Sequence, residues 1–135
     1  MYRGSCLCGS IQFTLEGSIT DIIHCHCSLC RKASGSAYAT NGFINAEDLK
    51  LTDPNNALTF YESSKGKRKY FCKNCGAPVY SSNDQSPQRV RLRLGVLDSN
   101  IEERPISHNF VTSKANWEDL DDQLPHYEQH EPGRT

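Results

Sequence analysis

No run in this chain approaches the roughly 18 consecutive apolar residues that a membrane-spanning helix needs, and no apolar region follows Met1-Tyr2-Arg3-Gly4 in the manner of a secretory signal. These absences lead us to expect a soluble protein of the reducing cytoplasm. An excess of one charge is also missing. The formal net charge is −1, with 15 Lys and Arg against 16 Asp and Glu. It falls further if thiols ionise around metal ions, so no nucleic-acid partner is expected. The sequence has no G-x-S-x-G elbow, no Gly-rich phosphate loop and no H-E-x-x-H helix. It also lacks an internal repeat or an interdomain linker. With 135 residues, 36% of them hydrophobic, it reads as one domain with a modest core over residues 1–127, followed by a loose tail over 128–135.

What the chain does have is cysteine. All seven fall into three short clusters: Cys6-Leu7-Cys8-Gly9, Cys25-His26-Cys27-Ser28-Leu29-Cys30 and Cys72-Lys73-Asn74-Cys75-Gly76. An odd count with ligand-like spacing argues against disulfides. Thiolates select a soft cation, and tetrahedral zinc takes four ligands, so seven sulfurs divide into a closed set of four and an incomplete set of three. Cys72-x-x-Cys75-Gly76 has the form of a zinc knuckle, in which glycine can take the positive φ that turns backbone N–H groups toward the sulfurs. Cys6-x-Cys8-Gly9 supplies the second pair. One ion gripped by both pairs would close most of the intervening chain, a structural role.

Cys25, Cys27 and Cys30 can converge on a second ion if the chain turns at Ser28-Leu29. Their fourth position is open to water or a substrate thiol, or it is closed by His24 or His26. His26, flanked by two of these cysteines, is expected to face away from the ion. Three thiolates make the ion a weak Lewis acid toward water and a better partner for a soft thiol. The five histidines are scattered in sequence, and each is read singly as a surface or satisfied polar residue.

Around these clusters the pattern is that of strands. Ile11, Phe13 and Leu15 alternate with polar residues directly after the first cysteine pair. Leu29 to Ala33 can form one helical turn before Gly35, and Ala37 to Ile44 reads as extended. A hairpin is expected with arms at Leu58–Tyr61 and Lys69–Phe71, then a strand from Pro78 to Tyr80. Val90 to Leu97 is the clearest strand, with Val90, Leu92, Leu94 and Val96 on a core face and Arg91 and Arg93 on a solvated one. One more strand is expected over Ile106 to Val111, then a helical turn from Trp117 to Leu120, with Trp117 as a core anchor.

Taken together, C-x-C-G, C-H-C-x-x-C-R and C-x-x-C-G resemble the glutathione-dependent formaldehyde-activating enzyme family, which includes centromere protein V. The resemblance runs from about Ser5 to Tyr127. It takes in Gly95-Val96-Leu97-Asp98, His108, Ser113-Lys114, Trp117 and the 121–125 stretch ending in Pro125. It implies a mainly β, Mss4-like fold of twisted antiparallel sheets around a structural zinc, with few short helical turns. It also implies two zinc ions per chain, a structural one on Cys6, Cys8, Cys72 and Cys75 and a catalytic one on Cys25, Cys27 and Cys30. The implied activity is a carbon–sulfur lyase that forms or cleaves S-(hydroxymethyl)glutathione or a related thiol adduct. Arg31, Lys32 and Lys114 are then candidates for pairing with glutathione carboxylates. The implied partners are a small thiol and an aldehyde. Two alternatives belong to other classes: a zinc-stabilised binding module with its middle site closed, and a glutathione or aldehyde carrier. A methionine-sulfoxide reductase needs a free nucleophilic cysteine, and none is left over.

Overall fold

The structure, a computed structural model, describes residues 1–120 and 123–134. The described residues form ten strands, one α-helix and three short 3-10 turns, and no helix among them is long and apolar enough to cross a membrane. In chain order the strands are β1 (Tyr2–Ser5), β2 (Gln12–Leu15), β3 (Thr20–Cys25), β4 (Ala39–Asn45), β5 (Leu49–Thr52), β6 (Leu58–Ser64), β7 (Lys67–Cys72), β8 (Pro78–Asn83), β9 (Arg89–Arg93) and β10 (Ser107–Asn109). The helix α1 spans Ser28–Ser34. Two sheets form: a small one in the order β1-β2-β5 and a large one in the order β10-β3-β4-β9-β8-β7-β6. All pairings are antiparallel except β10 on β3, which is parallel.

The core lies where the small sheet covers one face of the large one. Phe13 and Leu15 of β2 meet Ile22 of β3, Ile44 of β4, Val79 of β8, and Val90 and Leu92 of β9. These positions alternate along their strands, so burying one face sends the intervening residues to the other. Register carries that second face across the whole sheet. Cys25 pairs with Ala39, Phe43 with Arg91, Asn41 with Arg93, Arg91 with Ser81, and Ser81 with Lys69. A cysteine, three basic residues and an aromatic ring thus share one surface.

Several local expectations are met within a residue or two, and five are corrected. The strand expected over 90–97 ends at Arg93, and Leu94–Val96 forms a 3-10 turn. There the chain leaves the sheet to bridge Leu97 to Gly4, while Leu94 and Val96 still pack on the core. Arg93 is not solvated: it is only 8% exposed and donates to Asn41 Oδ1. Trp117 is 67% exposed and so is not a core residue, and the helical turn falls at Val111–Ser113 instead of 117–120. The segment after 127 is not simply loose, because Glu131 is 7% exposed and holds Arg134. Residues 121 and 122 of the resembling 121–125 stretch lie outside the described residues.

Candidate metal and thiol-binding site

The outer cysteines come from two matching knuckles. In the first, the Gly9 N–H donates to Cys6 O at 3.1 Å and the Ile11 N–H reaches Cys6 Sγ at 3.3 Å. In the second, the Gly76 N–H donates to Cys72 O at 2.7 Å. Both glycines hold positive φ, 82° and 78°, a conformation that a side chain would strain. The four sulfurs converge within 4.8 Å of one another. Cys6 and Cys8 stand 3.7 Å apart, and Cys8 and Cys72 3.8 Å. Four sulfurs about 2.3 Å from a tetrahedral ion are separated by roughly 3.8 Å, so this donor set fits zinc. Cys6 and Cys72 are buried against Ile11 and Ala57. Burial pushes the Cys72 thiol up to about 11, whereas the Ser10 hydroxyl and backbone draw Cys8 down to about 6.

The inner cysteines come from the end of β3 and the start of α1. Cys25 closes the strand, Cys27 caps the helix by accepting from the Cys30 N–H at 3.3 Å, and Cys30 is buried on the first turn. Gly35 ends the helix. The three sulfurs also lie within 4.8 Å of one another, and among the described residues no fourth Cys, His, Asp or Glu joins them. The Cys25 thiol, hydrogen-bonded to Cys30 and buried, is raised well above its ordinary range. Cys30 is lowered to about 5, first by that bond from Cys25, then by Cys27 and the positive charges of Arg93 and Lys69, against the effect of burial. Sulfur held anionic beside cations is the state a soft metal requires.

His24 and His26 do not complete this set. They occupy the alternate positions beside Cys25 and pack on the far side, where His26 Nε2 lies 2.8 Å from His108 Nδ1 and His24 Nδ1 2.8 Å from Thr40 Oγ1. Tyr38 packs on this group with its ring tilted, and His126 meets His108 edge-on. Four of the five histidines therefore converge, which their scatter along the sequence concealed. Burial first, and His108 second, push His26 down to about 4, so it is a neutral imidazole at neutral pH.

A cleft of about 490 Å³ opens over the inner sulfurs, a size suited to a small molecule. Six basic residues line it, Lys67, Arg68 and Lys69 from β7, Arg89 and Arg91 from β9, and Arg134, and no Asp or Glu among the described residues does. Arg68 is paired with Glu62 at 3.3 Å and Asp84 at 3.1 Å. Burial, then Arg93, draws the Lys69 amine below its usual value. Arg31, Lys32 and Lys114 do not line this cleft. Lys32 is exposed on α1, and Lys114 donates to the Ala115 and Glu118 carbonyls. The signal for the true lining was present in the alternation of Arg89 and Arg91 with Val90 and Leu92, which points both arginines away from the core but into the cleft.

The fold and the site together define a small, mainly β domain with two sulfur clusters, one closed and one open, each chemically suited to a soft metal ion. The chain belongs to the glutathione-dependent formaldehyde-activating enzyme family, whose sequence model matches residues 1–113. It is 30% identical over 77 residues to a Podospora anserina protein that bears the family's name, a match covering 56% of this chain and 36% of that one. It is 29% identical over 95 residues to a Schizosaccharomyces pombe protein named as an uncharacterized lyase, covering 69% of this chain and 67% of the relative. The match thus spans well under half the length of the Podospora protein. A Rhodobacter sphaeroides protein of known crystal structure shares the fold, with a TM-score of 0.62 at 21% identity over 92% of this chain and 98% of that one.

Proposed function

We propose that this protein is a carbon–sulfur lyase that joins a thiol such as glutathione to formaldehyde, or reverses that addition, at the Cys25, Cys27 and Cys30 site. The observation that carries the reading is a three-sulfur set with no fourth ligand among the described residues, at the floor of a cleft lined by basic residues without acids. Zinc, when bound there, supplies a soft position at which an incoming thiol loses its proton near neutral pH. The outer set, Cys6, Cys8, Cys72 and Cys75, has all four ligands and serves the fold. In the forward direction a sulfur–carbon bond forms, the carbonyl π bond breaks, and the proton released from the thiol ends on the new hydroxyl. Lys69, Arg91 and Arg93 hold positive charge beside the reacting sulfur and favour its anionic form. The cleft's basic residues offer partners for the substrate's carboxylates, in place of Arg31, Lys32 and Lys114. A thiol-rich compartment such as the cytoplasm fits this chemistry.

The test is zinc per chain by elemental analysis, followed by titration of glutathione into protein carrying cobalt at the inner site. Two ions and a thiol-to-metal band that shifts on adding glutathione are expected. An unmoved band would favour the closed binding module. A shifted band without faster formation of S-(hydroxymethyl)glutathione, followed by NMR, would make the protein a carrier.

A further inference from the structure

Phe110 lines the cleft in a backbone conformation that side chains of its size seldom adopt. Along β10 the side chains alternate: His108 points to the histidine group, and Asn109, the register partner of Cys25, to the cleft. A strand continued by one residue would send the next side chain back toward the histidines. Instead Phe110 turns left-handed, with φ 59° and ψ 43°, and its side chain stays in the cleft beside Asn109. An aromatic residue with positive φ is a genuine outlier, and such strain persists only where the surroundings hold it.

Here they do. The Phe110 N–H donates to Gln129 O at 3.1 Å, and Phe110 O accepts from the Ser113 N–H at 3.0 Å. One residue earlier, Asn109 O accepts from the His26 N–H at 2.9 Å, which ties the turn to the residue between Cys25 and Cys27. The Phe110 side chain packs against the buried group of Ile23, Cys25, Cys30 and Ala39, alongside Cys27. It also meets His130 edge-on, with ring centres 5.0 Å apart. Glycine or asparagine would make the same turn at lower cost, so what Phe110 contributes is the ring and not the turn. A flat, rigid ring against the sulfurs limits the bulk that can stand next to an incoming atom, and it suits a polarizable sulfur.

We propose that Phe110 is a specificity-determining residue of the inner sulfur site, its ring admitting a sulfur carried on an unbranched carbon and turning away one whose carbon is branched. The thiol half of this inference rests on the function proposed above, but the screening of the sulfurs does not.

The probes are N-acetylcysteine and N-acetylpenicillamine, which carry the same charges and differ by a pair of methyl groups next to the sulfur. Each is titrated into protein carrying cobalt at the inner site. Wild type and Phe110→Tyr, which keeps the ring, are expected to take the unbranched thiol about tenfold more tightly or better, and Phe110→Gly to lose most of that preference. Release of zinc to the chelator pyridylazoresorcinol is followed alongside, and the first ion should leave Phe110→Gly about tenfold sooner while the second is unchanged. Should Phe110→Gly fail to fold by circular dichroism, Phe110→Asn takes its place, since asparagine also tolerates the left-handed turn. An equal preference in wild type and Phe110→Gly, or its loss in Phe110→Tyr, overturns the size selection. Equal zinc release from wild type and Phe110→Gly overturns the screen. If neither thiol moves the band while zinc still leaves Phe110→Gly sooner, the screen stands, and the thiol reading falls together with the size selection built on it.

Discussion

The two sulfur clusters offer the same ligand atom in different numbers and in different surroundings. The outer four are drawn from two knuckles far apart in sequence and are set among Ile11 and Ala57, with the coordination set complete. The inner three come from six consecutive residues, lack a fourth partner among the described residues, and look into a cleft of basic side chains. A set of four sulfurs leaves no position on a tetrahedral ion for an incoming ligand, which suits the structural role proposed for it. An open set beside cations can hold something that arrives. Sulfur count and neighbouring charge, more than cysteine itself, distinguish the two sites and carry the proposed division between structure and chemistry.

The sharpest way to break the comparison is to remove one ligand from each side. Cys72→Ser should abolish cooperative thermal unfolding and release the tighter ion, because structural zinc binding is folding free energy. Cys27→Ser should leave a folded chain with one ion per molecule and no cobalt shift on adding glutathione. Equal loss of the fold in both, by circular dichroism and zinc analysis, would falsify the division. Ile11→Ala, at a fully buried site against the outer sulfurs, should cost about 2–5 kcal/mol in denaturant titration. Leu29→Ala, 64% exposed at the rim of the inner site, should stay within about 0.5 kcal/mol.

Acid separates the two regions more gently. Burial alone would raise the Glu131 carboxyl, but hydrogen bonds from Arg134 and Asn109 outweigh it and hold the group below its ordinary 4.5. Its pairing therefore stabilises the wall of the cleft above that pH and is lost as pH falls through the lowered value. Glu131→Gln removes the charge at any pH. In that variant the amides of Phe110 and Val111, which donate to Gln129 and Tyr127, should exchange faster at neutral pH while Ile11 is unchanged. Equal acceleration at Ile11 would show that the two regions unfold as one.

Much of this site was legible in the sequence because its pieces are local. A knuckle is a few residues with a glycine, and the helix that carries Cys30 is a single turn or two after its cap. Even the grouping of Cys6 and Cys8 with Cys72 and Cys75 followed from counting ligands. What could not be read was decided by distant neighbours. Arg91 and Arg93 alternate with core residues in a pattern that also describes a wet face, and only the arrival of β3, β4 and Asn41 makes theirs a buried one. Trp117 is large and apolar, which predicts burial, yet it stands 67% exposed. Glu131 and Arg134 sit in a polar stretch with no periodicity, and their order comes from Asn109, far back in the chain. The histidines converge through strand register alone.

The parallel pairing of β10 with β3 bears on the order in which the molecule can be made. As the chain is synthesised, β3 and β4 can find each other early, but the outer edge of β3 has no partner until Ser107–Asn109 has emerged, after nearly every other strand. Until then the residues beside Cys25 present an unpaired strand edge, the surface on which a nascent chain is most easily misjoined. The last strand to arrive thus seals the edge of the strand that ends in Cys25, and the cleft wall, held through Asn109, can be assembled only after that seal is in place.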